Sequence, residues 1–206
     1  EMIAVVWLCA LATFFWFVMF SPWTAPRLNF WLVMAMATAV LAGAGLWLQR
    51  DRLREIYFFK PAHILIGLLS ALILYAIFWA GNAVSTQLFH FARPEIAGIY
   101  STRAQASPLT IGLLLLLWVG PAEEIFWRAF VQERLCGRYG RTGGYLVASL
   151  VYAAIHVFGF NFMLFMASLI CGLFWGAMFL RYRSVWPGLI SHAVWDVLIF
   201  VVFPLQ

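Results

Sequence analysis

Three short stretches of the chain hold residue types that could do chemistry. They are Glu123, Glu124 and Arg128 in "AEEIFWR", Tyr152 and His156 in "YAAIH", and His192 and Asp196 in "HAVWD". Glu124 and Arg128 are four residues apart, so on a helix they share a face and can pair. Glu123 is turned about 100° from Glu124 and about 140° from Arg128 at 3.6 residues per turn. It has no partner on its own helix. One glutamate is thus neutralised, and the other is left free to act as a general base on water. His192 and Asp196 also share a face, and two arrangements suit them. Asp196 orients His192, or both face a substrate carbonyl. Tyr152 places an aromatic ring one turn below His156.

These groups sit in surroundings that penalise them. The eight residues "IGLLLLLW" lead directly into the glutamate pair, and each charge in lipid costs at least roughly 2.5–3.5 kcal/mol. The 206 residues are 65% hydrophobic and only 10% charged, whereas a soluble domain carries roughly 25% charged residues. An integral membrane protein follows. The expected fold is all-α, a polytopic transmembrane helical bundle of about seven to eight helices. It forms one domain over 1–206, with the polar core in about 108–200. The bilayer is its constant partner. The net charge of +5 comes from 12 Arg and one Lys, mostly in short gaps between apolar segments. That is topology-setting charge and not a nucleic-acid surface. Cys9, Cys136 and Cys171 have no metal-like spacing and read as small core residues.

Seven apolar segments position the polar groups, at roughly 2–20, 29–48, 63–84, 108–120, 145–158, 161–180 and 184–203. The first has no basic stretch ahead of it and is expected as a retained helix rather than a cleaved leader. The fourth runs on past Pro121, which either kinks a long helix or starts a new one. The stretch 85–107 is the longest break, and "FHFARPEIAGIY" within it reads as an interfacial helix or as a plain connector. The many Trp and Phe residues are expected to be mostly lipid-facing or interfacial.

Arg50, Arg52, Arg54 and Lys60 follow the second segment, Arg134, Arg138 and Arg141 the fourth, and Arg181 and Arg183 the sixth. If all segments span, these loops share a side, and the positive-inside rule makes that side cytoplasmic. The N-terminus is then cytoplasmic, in the inner membrane of a bacterial or archaeal cell. At 1.5 Å per residue from the cytoplasmic ends, Glu123, His156, His192 and Asp196 lie roughly 20, 16, 12 and 18 Å deep. Three segments therefore bring polar groups to one level, which predicts one buried site in the inner half of the membrane.

In this order the three stretches resemble the motifs of the CPBP family, the CAAX proteases and bacteriocin-processing enzymes also called Abi. "EEIFWR" matches Glu-Glu-x-x-x-Arg, "YAAIH" resembles Phe-x-x-x-His with Tyr152 in place of Phe, and "HAVWD" matches His-x-x-x-Asn/Asp. The family includes the eukaryotic endopeptidase that trims prenylated CAAX proteins. The resemblance covers roughly 108–200 and implies an intramembrane endopeptidase acting on a membrane-associated protein or peptide, as in CAAX-type or sorting-tag processing near a C-terminus. It implies that Glu123 activates water with help from His156. His192 and Asp196 would stabilise the oxyanion, while Glu124, Arg128 and Tyr152 support the site. Asp196 in place of Asn matters, because a carboxylate donates to an oxyanion only when protonated and otherwise acts by orienting His192.

The family has been described as metal-dependent, and two histidines with two acids could hold a divalent ion. The zinc pattern His-Glu-x-x-His is absent, and Arg128 already occupies one acid. Water activation without a cofactor is therefore expected. Three other classes account for fewer of these residues. A non-catalytic immunity or binding protein on the same scaffold should have lost at least one of the polar residues. A proton-coupled transporter should show two related halves, whereas the polar residues are confined to the C-terminal half. A haem protein with His156 and His192 as axial ligands leaves the glutamates and Arg128 unexplained.

Overall fold

The computed structural model describes residues 2–205, and they form an all-helical protein with no strand among them. The helices in chain order are α1 (Met2–Phe20), α2 (Phe30–Leu48), α3 (Ala62–Leu88) and α4 (Ala92–Tyr100). Then come α5 (108–139), α6 (141–154), α7 (Phe162–Tyr182) and α8 (Trp186–Val197, running on in a wide turn to 202). Five helical runs are long and apolar enough to cross a membrane. Polar residues set the starts of three helices. Asn29 accepts from Leu32 N, Ser107 from Thr110 N, and Asn161 from Leu164 N, each satisfying an otherwise orphaned first-turn donor.

Pro121 neither ends the fourth segment nor starts a new helix. The helix runs through it as a short α turn, Gly120–Glu124, flanked by π-helical stretches at Leu115–Val119 and Ile125–Gln132. The wider i→i+5 bonding accommodates a residue that lacks an N–H and crowds the preceding turn. The helix continues well past the arginine until Gly140, whose φ of 76° lies in the left-handed region that glycine enters at little cost. The chain reverses there so tightly that a Cβ on Gly144 would fall on the backbone of Cys136. The expected loop around Arg138 is thus a single-residue corner, and α5 and α6 form a hairpin. The "FHFARPEIAGIY" stretch forms α4. Its Glu95 accepts from Met163 N through the carboxylate and from Asn161 Nδ2 through the carbonyl, tying α4 to the start of α7.

The helices alternate in direction, and the connections bond to each other at both ends of the bundle. At one end Arg134 Nη2 donates to Leu48 O, Arg141 Nη2 to Leu180 O, and Val185 N to Ile56 O. Arg52 and Arg183 both bind Glu133, at 3.0 and 3.3 Å. The three arginine-rich stretches therefore meet, as the alternation of segments requires. At the other end Gln105 Oε1 accepts from Phe30 N, and Thr102 O from the Trp31 indole. Only Arg27, Arg93 and Arg103 lie there.

The core is aromatic, and here the expectation for tryptophan needs correction. Trp7, Trp23, Trp47, Trp79 and Trp118 are exposed, but Trp16, Trp31, Trp127, Trp175 and Trp195 are buried. The buried five lie on the inward faces of their helices, where a large ring packs; Trp16, Trp31 and Trp175 also donate their indole N–H, to His156, Thr102 O and Ser191. Hydropathy alone does not separate these faces.

Candidate active site

Glu123 and Glu124 occupy the short α turn between the two π stretches of α5. Their adjacent positions send them to different surroundings. Glu124 is fully buried. Its Oε2 lies 3.6 Å from Arg128 Nε, an ion pair just beyond hydrogen-bonding distance. Its Oε1 is 3.0 Å from His192 Nδ1. Gly188 on α8 makes this seat possible, since a Cβ there would come within 2.8 Å of Glu124 Oε2. Arg128 donates through Nη2 to Cys171 O at 3.3 Å and lies 4.6 Å over the Tyr152 ring. The buried guanidinium is thus held by one carboxylate, one carbonyl and an aromatic face.

Glu123 takes a different environment. Its Oε2 accepts from the Tyr152 hydroxyl at 2.9 Å, across from α5 to α6. The family pattern noted above has Phe at this position, which would offer no donor.

His156 has both ring nitrogens engaged. Nδ1 is 2.8 Å from Tyr152 O, and Nε2 is 2.9 Å from the indole nitrogen of Trp16. An indole nitrogen only donates, so Nε2 holds the lone pair and Nδ1 carries the proton. Trp16 comes from α1, 140 residues away in sequence, and is fully buried. It also meets Trp127 edge-on at 6.3 Å. The sequence singles out neither it nor Trp175. The indole of Trp175 stacks on His192 with centroids 3.6 Å apart and planes 19° apart. Trp175 in turn donates to Ser191 Oγ at 3.1 Å. On the far side of His192, Nε2 is 3.6 Å from Asp196 Oδ2. His192 thus lies between two carboxylates, with Glu124 at one nitrogen and Asp196 at the other.

A cavity of about 750 Å³ collects these groups. Glu123, Tyr152, His156, His192 and Asp196 all line it, while Glu124 and Arg128 lie behind its wall. The rest of the lining is mainly aromatic and aliphatic. The expected convergence on one space is present. The cavity runs away from the arginine-rich end. It is lined by Phe20, Phe30, Phe89, Thr102 and Asn161 of the opposite end, and by no residue of 49–61, 133–141 or 181–185. Phe126, Phe130 and Gln132, each 1% exposed, fill the space between the glutamates and the arginine-rich loops. Counting depth from the cytoplasmic ends gives the level of the site but not the direction in which it opens.

The arrangement does not fit a divalent ion. The lone pair of His156 is taken by Trp16, and Glu124 is shared between Arg128 and His192. Among the described residues no group of three or more His, Cys, Asp or Glu side chains has metal-binding geometry.

Residues 105–198, just under half the chain, match a family model described as type II CAAX prenyl endopeptidase, Rce1-like. No curated protein and no solved structure matches the chain. The matched region holds all three polar motifs and ends two residues past Asp196, so the family match and the motif resemblance fall on the same residues. Trp16 lies outside it.

Proposed function

We propose that the chain is an intramembrane, glutamate-dependent endopeptidase that hydrolyses a peptide bond of a membrane-associated protein or peptide. The family match supports a protease of the CAAX type. The observation that carries the reading is the separation of the two glutamates, with Glu123 facing the cavity and Glu124 sealed behind it with Arg128.

In this mechanism the Tyr152 hydroxyl holds Oε2 of Glu123 and leaves Oε1 to take a proton from water. The water oxygen attacks the scissile carbonyl carbon, and the carbonyl oxygen becomes an oxyanion. As the C–N bond breaks, Glu123 returns the proton to the departing amine. His192 supplies the donor for the oxyanion. Its Nδ1–H is committed to Glu124, and a second proton on Nε2, balanced by Asp196, points a charged donor toward the cavity. The four charges of Glu124, Arg128, His192 and Asp196 then sum to zero, which suits burial. Asp196 acts through His192 and need not donate a hydrogen bond itself. The help expected from His156 in activating water needs a free ring nitrogen, and Trp16 and Tyr152 O occupy both. His156 instead forms the wall beside Glu123, and proton transfer falls to Glu123 alone. No step passes through a metal.

The reading is tested by mass spectrometry of membrane proteins from cells with and without the chain. New C-termini that depend on it are expected. Identical termini in both samples would contradict it.

A further inference from the structure

The cavity extends to the arginine-poor end of the bundle and not to the arginine-rich one, and the distribution of charge says which side of the membrane that is. Of the 13 basic residues, nine (Arg50, Arg52, Arg54, Lys60, Arg134, Arg138, Arg141, Arg181 and Arg183) gather at the closed end, three lie at the open end, and Arg128 is buried between. An excess of basic residues in short loops marks the cytoplasmic side. From the closed end, access to Glu123 is blocked by Phe126, Phe130 and Gln132, the last also bonded to Gly176 O. At the open end α3 and α7 flank the cavity, contributing Ile77, Asn82, Phe162 and Met166 to its lining. The helix α4 spans between them, pinned to α7 through Glu95. Phe89, Phe162 and Ile77 are 45%, 50% and 41% exposed, so the apolar lining continues onto the outer surface of the bundle. No Lys or Arg lines the cavity.

We propose that the scissile segment reaches Glu123 from the arginine-poor face, passing between α3 and α7 beneath α4, and that this face is the outer side of the cell membrane. The occupant is an apolar, uncharged stretch of a polypeptide held at the outer leaflet. The lining offers no Lys or Arg to pair with an acidic side chain, and an apolar stretch suits the aromatic and aliphatic walls that continue onto the surface of the bundle. The proposal rests on the hydrolase reading for what happens at Glu123, but its sidedness can be measured without turnover.

The test uses intact cells producing the Asn82→Cys and Arg138→Cys chains, with the wild-type chain and its three native cysteines as background. A membrane-impermeant maleimide is applied from outside. The proposal expects labelling of Asn82→Cys, protection of Arg138→Cys until the cells are permeabilised, and loss of substrate cleavage once a bulky maleimide occupies position 82. The reverse labelling pattern overturns the sidedness. Outside labelling of Asn82→Cys with cleavage unimpaired overturns the route. If the unlabelled Asn82→Cys and wild-type chains cleave nothing, the hydrolase reading fails, while the labelling still decides the side.

Discussion

Nδ1 of His192 lies 3.0 Å from Oε1 of Glu124, so the paired glutamate of α5 is hydrogen-bonded to the histidine of α8. Glu124 therefore has two duties. It neutralises Arg128 on its own helix and fixes the ring of His192 on another, leaving the opposite ring nitrogen directed at Asp196 and the cavity. The two carboxylates that stand side by side in "AEEIFWR" thus meet different surroundings, Glu124 sealed against Arg128 and His192 and Glu123 lining the cavity.

Arg128→Ala tests the orienting half. It leaves Glu124 buried beside His192 without its cation, and breaking a buried pair from one side costs roughly 3–5 kcal/mol. Thermal unfolding in detergent should show a melting temperature or folded yield well below that of the Glu123→Gln chain. Equal stability of the two variants would mean that the 3.6 Å separation reflects no net interaction.

Tyr152→Phe removes one oxygen and keeps the ring under Arg128 and beside His156. A hydrogen bond to a charged group contributes roughly 1.5–3 kcal/mol. Turnover should therefore fall by up to about 10- to 100-fold, at 1.36 kcal/mol per decade. KM should stay near its wild-type value, because the hydroxyl touches Glu123 and not the substrate. A change in KM with kcat unaltered would place the hydroxyl in substrate binding instead.

Trp16→Phe deletes the donor to His156 Nε2. Leaving that acceptor buried and unmatched should cost roughly 1–3 kcal/mol, on top of any packing loss from the smaller ring. The nitrogen NMR spectrum of histidine-labelled protein gives the specific readout. In the wild type His156 should show a protonated Nδ1 and a hydrogen-bonded, unprotonated Nε2. In the variant the Nε2 resonance alone should shift toward its free position. An unshifted Nε2 would show that the indole bond does not form.

Exhaustive chelation followed by elemental analysis addresses the metal question. Cleavage should continue unchanged in protein freed of divalent ions, because His156 and Glu124 are engaged elsewhere and no three His, Cys, Asp or Glu side chains among the described residues converge as ligands. Activity lost on chelation and restored by one equivalent of a single ion would refute this.

The sequence reveals the site better than its surroundings. Apolar runs, polar residues within them and i, i+4 spacing were enough to place Glu124 against Arg128 and to bring Glu123, His156, His192 and Asp196 to one space, because helix periodicity and the cost of charge in lipid act locally. Pro121 left two outcomes open, since whether a helix absorbs a proline depends on π turns that no residue type announces. The corner at Gly140 was hidden because the polar run "GRYGRTGG" reads as a loop, while the structure continues one helix into it and starts another directly after. The tie from Trp16 to His156 joins segments 140 residues apart. Indoles in a membrane chain look alike in sequence whether they face lipid or a histidine.

The most direct measurement is turnover by the Glu123→Gln chain, followed together with its thermal unfolding. The amide keeps the size of the side chain and can still accept from Tyr152, but it cannot take a proton from water. The account predicts that cleavage is abolished while the melting temperature stays close to that of the wild type. Substantial cleavage by a folded Glu123→Gln chain would contradict it, whatever the effects of the neighbouring substitutions.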